Sequence, residues 1–190
     1  MSTWWIVSYV VLWALVVVLC MVVVALARQI GTLHMRLGPR GAFEIDGEGS
    51  ALGEAPPAIE MESLQGRTVT IGGPGAAQVL MFVSPGCHIC EQVIPSLRAI
   101  AGDGAYAPIV VSDADMYETS TGLSIEDISV PVVPAPGVAR DYTIPGTPYL
   151  VVLDETGVVR AKGTINNLEQ IEGLLDTAHK RALRSSEEHV

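Results

Sequence analysis

The chain has 190 residues, 49% of them apolar, and a formal net charge of −10. That length suits one domain with an appendage, and the acidic balance argues against a nucleic-acid partner. The apolar excess is local: Trp4 to Ala27 is a run of 24 residues without a charge, rich in Val, Leu and Trp. At about 1.5 Å per residue, a helix of that length exceeds a hydrocarbon core of about 30 Å. Trp4, Trp5 and Tyr9 crowd one end of it, as aromatic side chains do at a membrane interface. A cleaved signal peptide is the competing reading, because Ala25-Leu26-Ala27 resembles an A-x-A site. However, no Lys or Arg precedes the run, and it is longer than the apolar region of a signal peptide, about 7–15 residues. Residues 1–28 therefore read as an uncleaved single transmembrane anchor spanning Trp4 to Ala27, with Cys20 as a filler in that helix.

Residues 29–57 read as a tether. Ile30, Leu33 and Leu37 recur at helical spacing and extend the anchor by a turn or two, until Gly38-Pro39-Arg40-Gly41 ends any helix. From there to Pro57 the chain is rich in Gly, Glu and Pro and reads as a tether or an edge segment. A folded domain is expected over 58–184. Within it, Arg67 to Gly73 alternates like a strand and is followed by a Gly-Gly-Pro-Gly turn. Ala77 to Val83 is a short apolar run that reads as a buried strand.

Ser84-Pro85-Gly86-Cys87-His88-Ile89-Cys90 comes next, and Glu91 to Ile100 has helical spacing. The cysteine pair thus sits at a strand-to-helix turn, with Cys87 at the helix N-terminus. Unpaired N–H groups and the dipole of a first helical turn stabilise an anion there, so the first thiol's pKa should fall below the free value of about 8.5. The two intervening residues let Cys90 reach back to Cys87, so a disulfide can close and open. A C-x-x-C is also half of a zinc site, but zinc needs further ligands. Cys20, His34, His88, His179 and His189 show no second-pair spacing. Haem attachment requires His directly after the second cysteine, where Glu91 stands. The pair reads as redox-active, with no metal and no cofactor.

Pro95 should kink its helix rather than end it, because Val93, Ile94, Leu97 and Ile100 keep the apolar spacing across it. Ala107 to Val111 is the next buried strand. Asp113 to Ile128 reads as a loop or short helix, Val130 to Val133 as a short extended piece, and Gly137 to Tyr142 as a short helix. A strand from Tyr149 to Leu153 starts directly after Pro148. It turns through Asp154-Glu155-Thr156-Gly157 and returns over Val158 to Gly163. Asn166 to about Leu183 is a helix capped by Asn166 or Asn167, and 185–190 is a polar tail expected to be disordered. This order gives an α/β fold: a mixed sheet flanked by helices, parallel where a helix crosses over and antiparallel at the hairpin.

These residues resemble the thioredoxin-like superfamily, through Cys87-His88-Ile89-Cys90 after a strand and Thr147-Pro148 before the next-to-last strand. The resemblance implies a cis Thr147–Pro148 bond lying against a Cys87–Cys90 disulfide, with Thr147 and Pro148 forming a substrate groove. The residues alone also allow a trans proline that starts an edge strand. More closely, the chain resembles the MauD family of methylamine-utilisation proteins, membrane-anchored accessory proteins of methylamine dehydrogenase. The likeness runs from the N-terminal anchor through Ser84-Pro85-Gly86-Cys87 and Tyr142 to Tyr149, and reaches Ala161 to Asn167. Departures are visible. His88 stands where relatives commonly have Pro, and Ile89 where strongly oxidising members have His. The strand Gln78 to Val83 lacks the buried acid of many thioredoxins.

The resemblance implies a membrane-anchored thiol–disulfide oxidoreductase that assists disulfide formation or isomerisation in an exported client, the methylamine dehydrogenase small subunit. Cys87 attacks as thiolate and Cys90 resolves. His88, when protonated, would stabilise the Cys87 thiolate. A redox partner must reset the pair. The alternatives are a thiol peroxidase, whose expected Pro and Thr ahead of the cysteine are not matched by Ser84-Pro85-Gly86, and a non-catalytic chaperone module. Localisation is expected in the cytoplasmic membrane, single-pass, with the domain outside the cytoplasm, where disulfides persist. The positive-inside rule points the other way, since Arg28, Arg36 and Arg40 follow the apolar run.

Overall fold

A computed structural model describes residues 3–36, 49–123 and 129–187. The chain divides into two compact units, Met1–Arg40 and Gly41–Val190. The first is one helix, α1 (Thr3–Arg36), in which Trp4–Val23 is long and apolar enough to cross a membrane. Between Trp4 and Val23 its side chains are exposed on every side. A helix that is apolar all round needs an apolar medium or a core around it. Tyr9 and Trp13 stack edge to face one turn apart, with ring centroids 6.3 Å apart.

The second unit is built on a five-stranded sheet. Its strands are β3 (Gln78–Val83), β4 (Ala107–Ser112), β5 (Val132–Pro134), β6 (Tyr149–Leu153) and β7 (Val159–Thr164), in the spatial order β5-β4-β3-β6-β7. β3, β4 and β5 run parallel, while β6 is antiparallel to both β3 and β7. β1 (Ile59–Glu62) and β2 (Thr68–Ile71) form a separate antiparallel pair.

β3 is apolar throughout because both faces of the sheet are covered. Val79, Met81 and Val83 point to one side, among residues of the helices that follow the cysteines and of the C-terminal helix α6 (Leu168–Glu187), including Val93, Leu97, Ile171 and Leu174. Leu80 and Phe82 point to the other, where they join Ile71, Val138 and Tyr142. Burial of side chains of this size stabilises by about 1.5–3 kcal/mol each. The mixed sheet with helices on both faces is the expected one.

Pro95 acts as its missing N–H requires. Helix α2 (His88–Val93) passes into one 3-10 turn at Ile94–Ser96 and resumes as α3 (Leu97–Asp103). The apolar positions on either side stay on one buried face. Asn167, not Asn166, caps α6, its side chain accepting from Gln170 N–H at 3.0 Å.

Two expectations need correction. Residues 49–57 are the edge segment and not tether: Gly53 N–H donates to Val159 O at 2.9 Å, Val159 N–H donates to Glu54 O at 2.8 Å, and Ser50 Oγ donates to Tyr142 O. The segment pairs with the outer edge of β7 at Val159, the first residue of a strand edge that a five-stranded sheet would otherwise leave open there. Of the rest of 29–57, Gln29–Arg36 belongs to α1 and 37–48 lie outside the described residues. Ile59–Glu62 is a further strand: Ile59 and Met61 are half-buried and Glu60 and Glu62 face solvent, an alternation of four residues, too short to stand out in the sequence. Second, α6 continues to Glu187, with Ser185 Oγ bonded back to Ala182 O, so 185–187 are helical and 188–190 lie outside the described residues. The stretch 113–128 contains helix α4 (Met116–Gly122), and 124–128 lie outside the described residues. Gly137 to Tyr142 matches helix α5 (Pro136–Asp141) to within a residue.

Candidate active site

Ser84-Pro85-Gly86-Cys87 folds as a tight turn in which Cys87 N–H donates to Ser84 O at 3.2 Å. Proline at the second position and Gly86 at the third, with φ +75°, are the requirements of a type II turn. The turn delivers Cys87 to the N-cap of α2. There its Sγ accepts from Cys90 N–H at 3.2 Å, taking the place of the oxygen of a Ser or Asp cap. Cys87 and Cys90 form a disulfide with Cα atoms 5.2 Å apart. Cys87 is half-buried, whereas Cys90 is 0% exposed. One sulfur is therefore reachable and the other is enclosed.

His88 projects into solvent, and its Nε2 lies 3.0 Å from the Gln92 amide nitrogen one turn on. Ile89 is also exposed, at 44%. The strand beneath, Gln78–Val83, carries no acid, and among the described residues no Asp or Glu is buried.

The Thr147–Pro148 peptide is cis. The pairing of β3 with β6 brings it to the turn that carries the cysteines: Phe82 is opposite Tyr149 at the end of the ladder, and Ser84 and Thr147 lie just beyond it. The Ser84 and Thr147 hydroxyl oxygens are 2.8 Å apart. Pro148 is buried, and its carbonyl accepts from Ile165 N–H at 3.3 Å. The sheet thus places Thr147 and Pro148 at the same end as the turn that carries Cys87 and Cys90, and His88 follows Cys87 directly.

Two neighbours carried no expectation. Asp113 follows β4, and its carboxylate accepts from Ser84 Oγ at 2.6 Å. Gly122 ends α4, and its carbonyl accepts from Gly86 N–H at 3.2 Å. An open groove of about 520 Å³ runs beside the turn, lined by Ser84, Pro85, Asp113, Glu118, Thr121 and Gly122. Ser84 was visible as part of the cysteine motif, but its partners come from elsewhere in the chain.

The site holds a sulfur pair that can be reduced and re-formed, one member accessible at a helix N-terminus. This is the site of a thiol–disulfide oxidoreductase. The fold agrees with solved structures. The thioredoxin domain of a thiol–disulfide oxidoreductase from Bacteroides vulgatus superposes with a TM-score of 0.54 at 20% identity, over 67% of this chain and 98% of that one. StoA from Bacillus subtilis does so at 0.53 and 17%, over 63% and 97%. No family model matches the chain. Among curated proteins, it is 35% identical to methylamine utilization protein MauD of Methylobacillus flagellatus, over 90% of this chain and 84% of that protein. The chain belongs to the MauD family. MauD proteins of Methylorubrum extorquens and Paracoccus denitrificans are 33% and 32% identical, over 89% and 93% of this chain and 84% and 90% of theirs. The match to MauD proteins is far longer than the cysteine motif, which fills four positions.

Proposed function

We propose that the protein forms or reshuffles disulfides in one dedicated exported client, and that this client belongs to methylamine utilisation, the small subunit of methylamine dehydrogenase. The observation that carries the chemistry is the contrast between the two sulfurs: Cys87 half-buried at the N-cap, Cys90 buried beneath it. The client class is supported by the MauD relatives.

In the reducing direction the Cys87 thiolate attacks one sulfur of a client disulfide and expels the other as thiolate. The Cys90 thiolate then attacks Cys87 Sγ, releasing the client's second sulfur and closing the Cys87–Cys90 bond. Oxidation of a client is the same sequence reversed, and the potentials of the client and of the redox partner set its direction. Thr147 and Pro148 offer the backbone against which the client strand lies, a substrate groove separate from the one beside Pro85. His88, protonated, favours the Cys87 thiolate as a neighbouring positive charge. The α1 helix anchors the protein in the cytoplasmic membrane, with the folded unit on the outer side where client disulfides persist.

Deletion of the gene tests the client. Loss of growth on methylamine, with a small subunit lacking its disulfides on non-reducing blots, is the expected result. Normal growth with a normally bonded subunit would refute the client while leaving the sulfur chemistry in place. A phosphatase fused after Val190 tests the side: activity is expected outside the cytoplasm.

A further inference from the structure

We propose that Ser84 is a positioning residue for disulfide exchange: its hydroxyl holds the Thr147–Pro148 loop against the redox turn through a one-way chain of hydrogen bonds, Thr147 to Ser84 to Asp113. This rests on the exchange reading of Cys87 and Cys90. The three residues leave or enter three neighbouring strands of the sheet. Ser84 follows β3, Asp113 follows β4 and Thr147 precedes β6, in the order β4-β3-β6.

The direction of the chain follows from proton counting. Ser84 Oγ lies 2.6 Å from Asp113 Oδ2 and 2.8 Å from Thr147 Oγ1. A carboxylate accepts and does not donate, and a hydroxyl carries one proton. Ser84 therefore donates to Asp113, and its oxygen is left as acceptor for the Thr147 hydroxyl. That fixes the Thr147 side chain toward β3 and away from the face an incoming strand would use.

The far end of the chain is itself held. Asp113 N–H donates to Val83 O at 3.0 Å, tying its backbone to the end of β3. Ser112 and Thr119, both buried, are joined at 2.7 Å and tie α4 to the end of β4. Thr147 lies outside the strand: β6 begins two residues later, at Tyr149. The loop that would register a client strand is thus oriented by a side-chain bond, and Ser84 supplies it. Cys87 needs no help from this chain to react with a small thiol, because its reactivity comes from the helix N-cap.

The two reactions separate the role. Full-length protein in detergent is assayed with dithiothreitol, which reduces the Cys87–Cys90 disulfide without using the groove. In its reduced form it is assayed with a synthetic peptide disulfide. Ser84→Ala is expected to raise the peptide KM about three- to tenfold, the size of one lost hydrogen bond. The peptide kcat and the dithiothreitol rate should stay within about twofold of wild type. Ser84→Thr, which keeps the hydroxyl, should restore the KM. Asp113→Ala, which removes the acceptor at the far end of the chain and leaves Ser84 and Thr147 intact, should raise the peptide KM in the same direction even if Ser84→Ala folds poorly. An unchanged peptide KM in both variants, or an equal fall with peptide and dithiothreitol, overturns the proposal. Wild-type protein inert to both probes overturns the exchange reading, and the role of Ser84 with it.

Discussion

Gly122 packs so closely on Pro85 that a Cβ at position 122 would stand 2.6 Å from the Pro85 Cβ. The Pro85 Cβ is part of a ring fixed to the backbone, so no rotamer change relieves that clash. The end of α4 is thereby pressed onto the turn that carries Cys87, with Gly86 N–H bonded to Gly122 O. Gly122→Ala is expected to destabilise the folded unit by about 1–3 kcal/mol, as overpacking does, and to alter the dithiothreitol rate by displacing the turn. Denaturant unfolding and reduction kinetics check both. Wild-type values in both assays would mean that α4 does not hold the turn.

The unequal burial of Cys87 and Cys90 predicts an order of reaction. In reduced protein, Cys87 should be alkylated by iodoacetamide before Cys90, which mass spectrometry of peptides resolves. Cys90→Ala should trap a mixed disulfide between Cys87 and the client, visible as a dithiothreitol-sensitive band on a non-reducing gel. Prior alkylation of Cys90, or a trap that survives Cys87→Ser, reverses the assignment.

His88 is tested through its neighbour. His88→Ala should raise the pH at which the Cys87 thiolate appears in ultraviolet absorbance, because a cationic neighbour favours the charged sulfur. An identical titration would leave His88 as a solvated residue paired with Gln92.

Asp154 gives a pH dependence away from the site. Burial pushes its carboxyl up, but hydrogen bonds from Thr156, Arg160 and the Val158 amide outweigh that and hold it below the ordinary carboxylate value. Arg160 Nε lies 2.6 Å from its Oδ2. A carboxyl depressed on folding contributes stability that is present above its unfolded pKa of about 3.9 and is lost as pH falls through the lower folded value. Asp154→Ala should lower the unfolding midpoint at pH 7, and the gap to wild type should close on acidification below about pH 4. A gap that does not change with pH would exclude the carboxylate as the cause.

Thr143 is the one non-glycine among the described residues with positive φ, at 53°. A β-branched side chain is disfavoured there, whereas Asn tolerates the left-handed region. Thr143→Asn is expected to stabilise by about 0.5–1 kcal/mol in denaturant unfolding. Destabilisation would show that the Thr143 side chain makes a compensating contact.

The sequence by itself determined the features that depend on near neighbours in the chain. Ser84-Pro85-Gly86-Cys87 makes its own turn, because proline and glycine supply the two backbone angles it needs. The N-cap placement of Cys87 follows from a strand and a helix that meet there. The hairpin at Asp154 to Gly157, the interruption at Pro95 and the membrane-length run at Trp4 are likewise written in local composition and periodicity. The tertiary structure alone decided the rest. The strand at Ile59–Glu62 and the docking of 49–57 on β7 exist because a sheet edge and a core face elsewhere receive them. Ser84, Asp113 and Thr147 are 29 and 63 residues from one another along the chain, measured from Ser84. No local preference joins them. They meet because hydrophobic burial sets the order β4-β3-β6 and its register, and a one-residue slip of β6 would turn Thr147 to the other face.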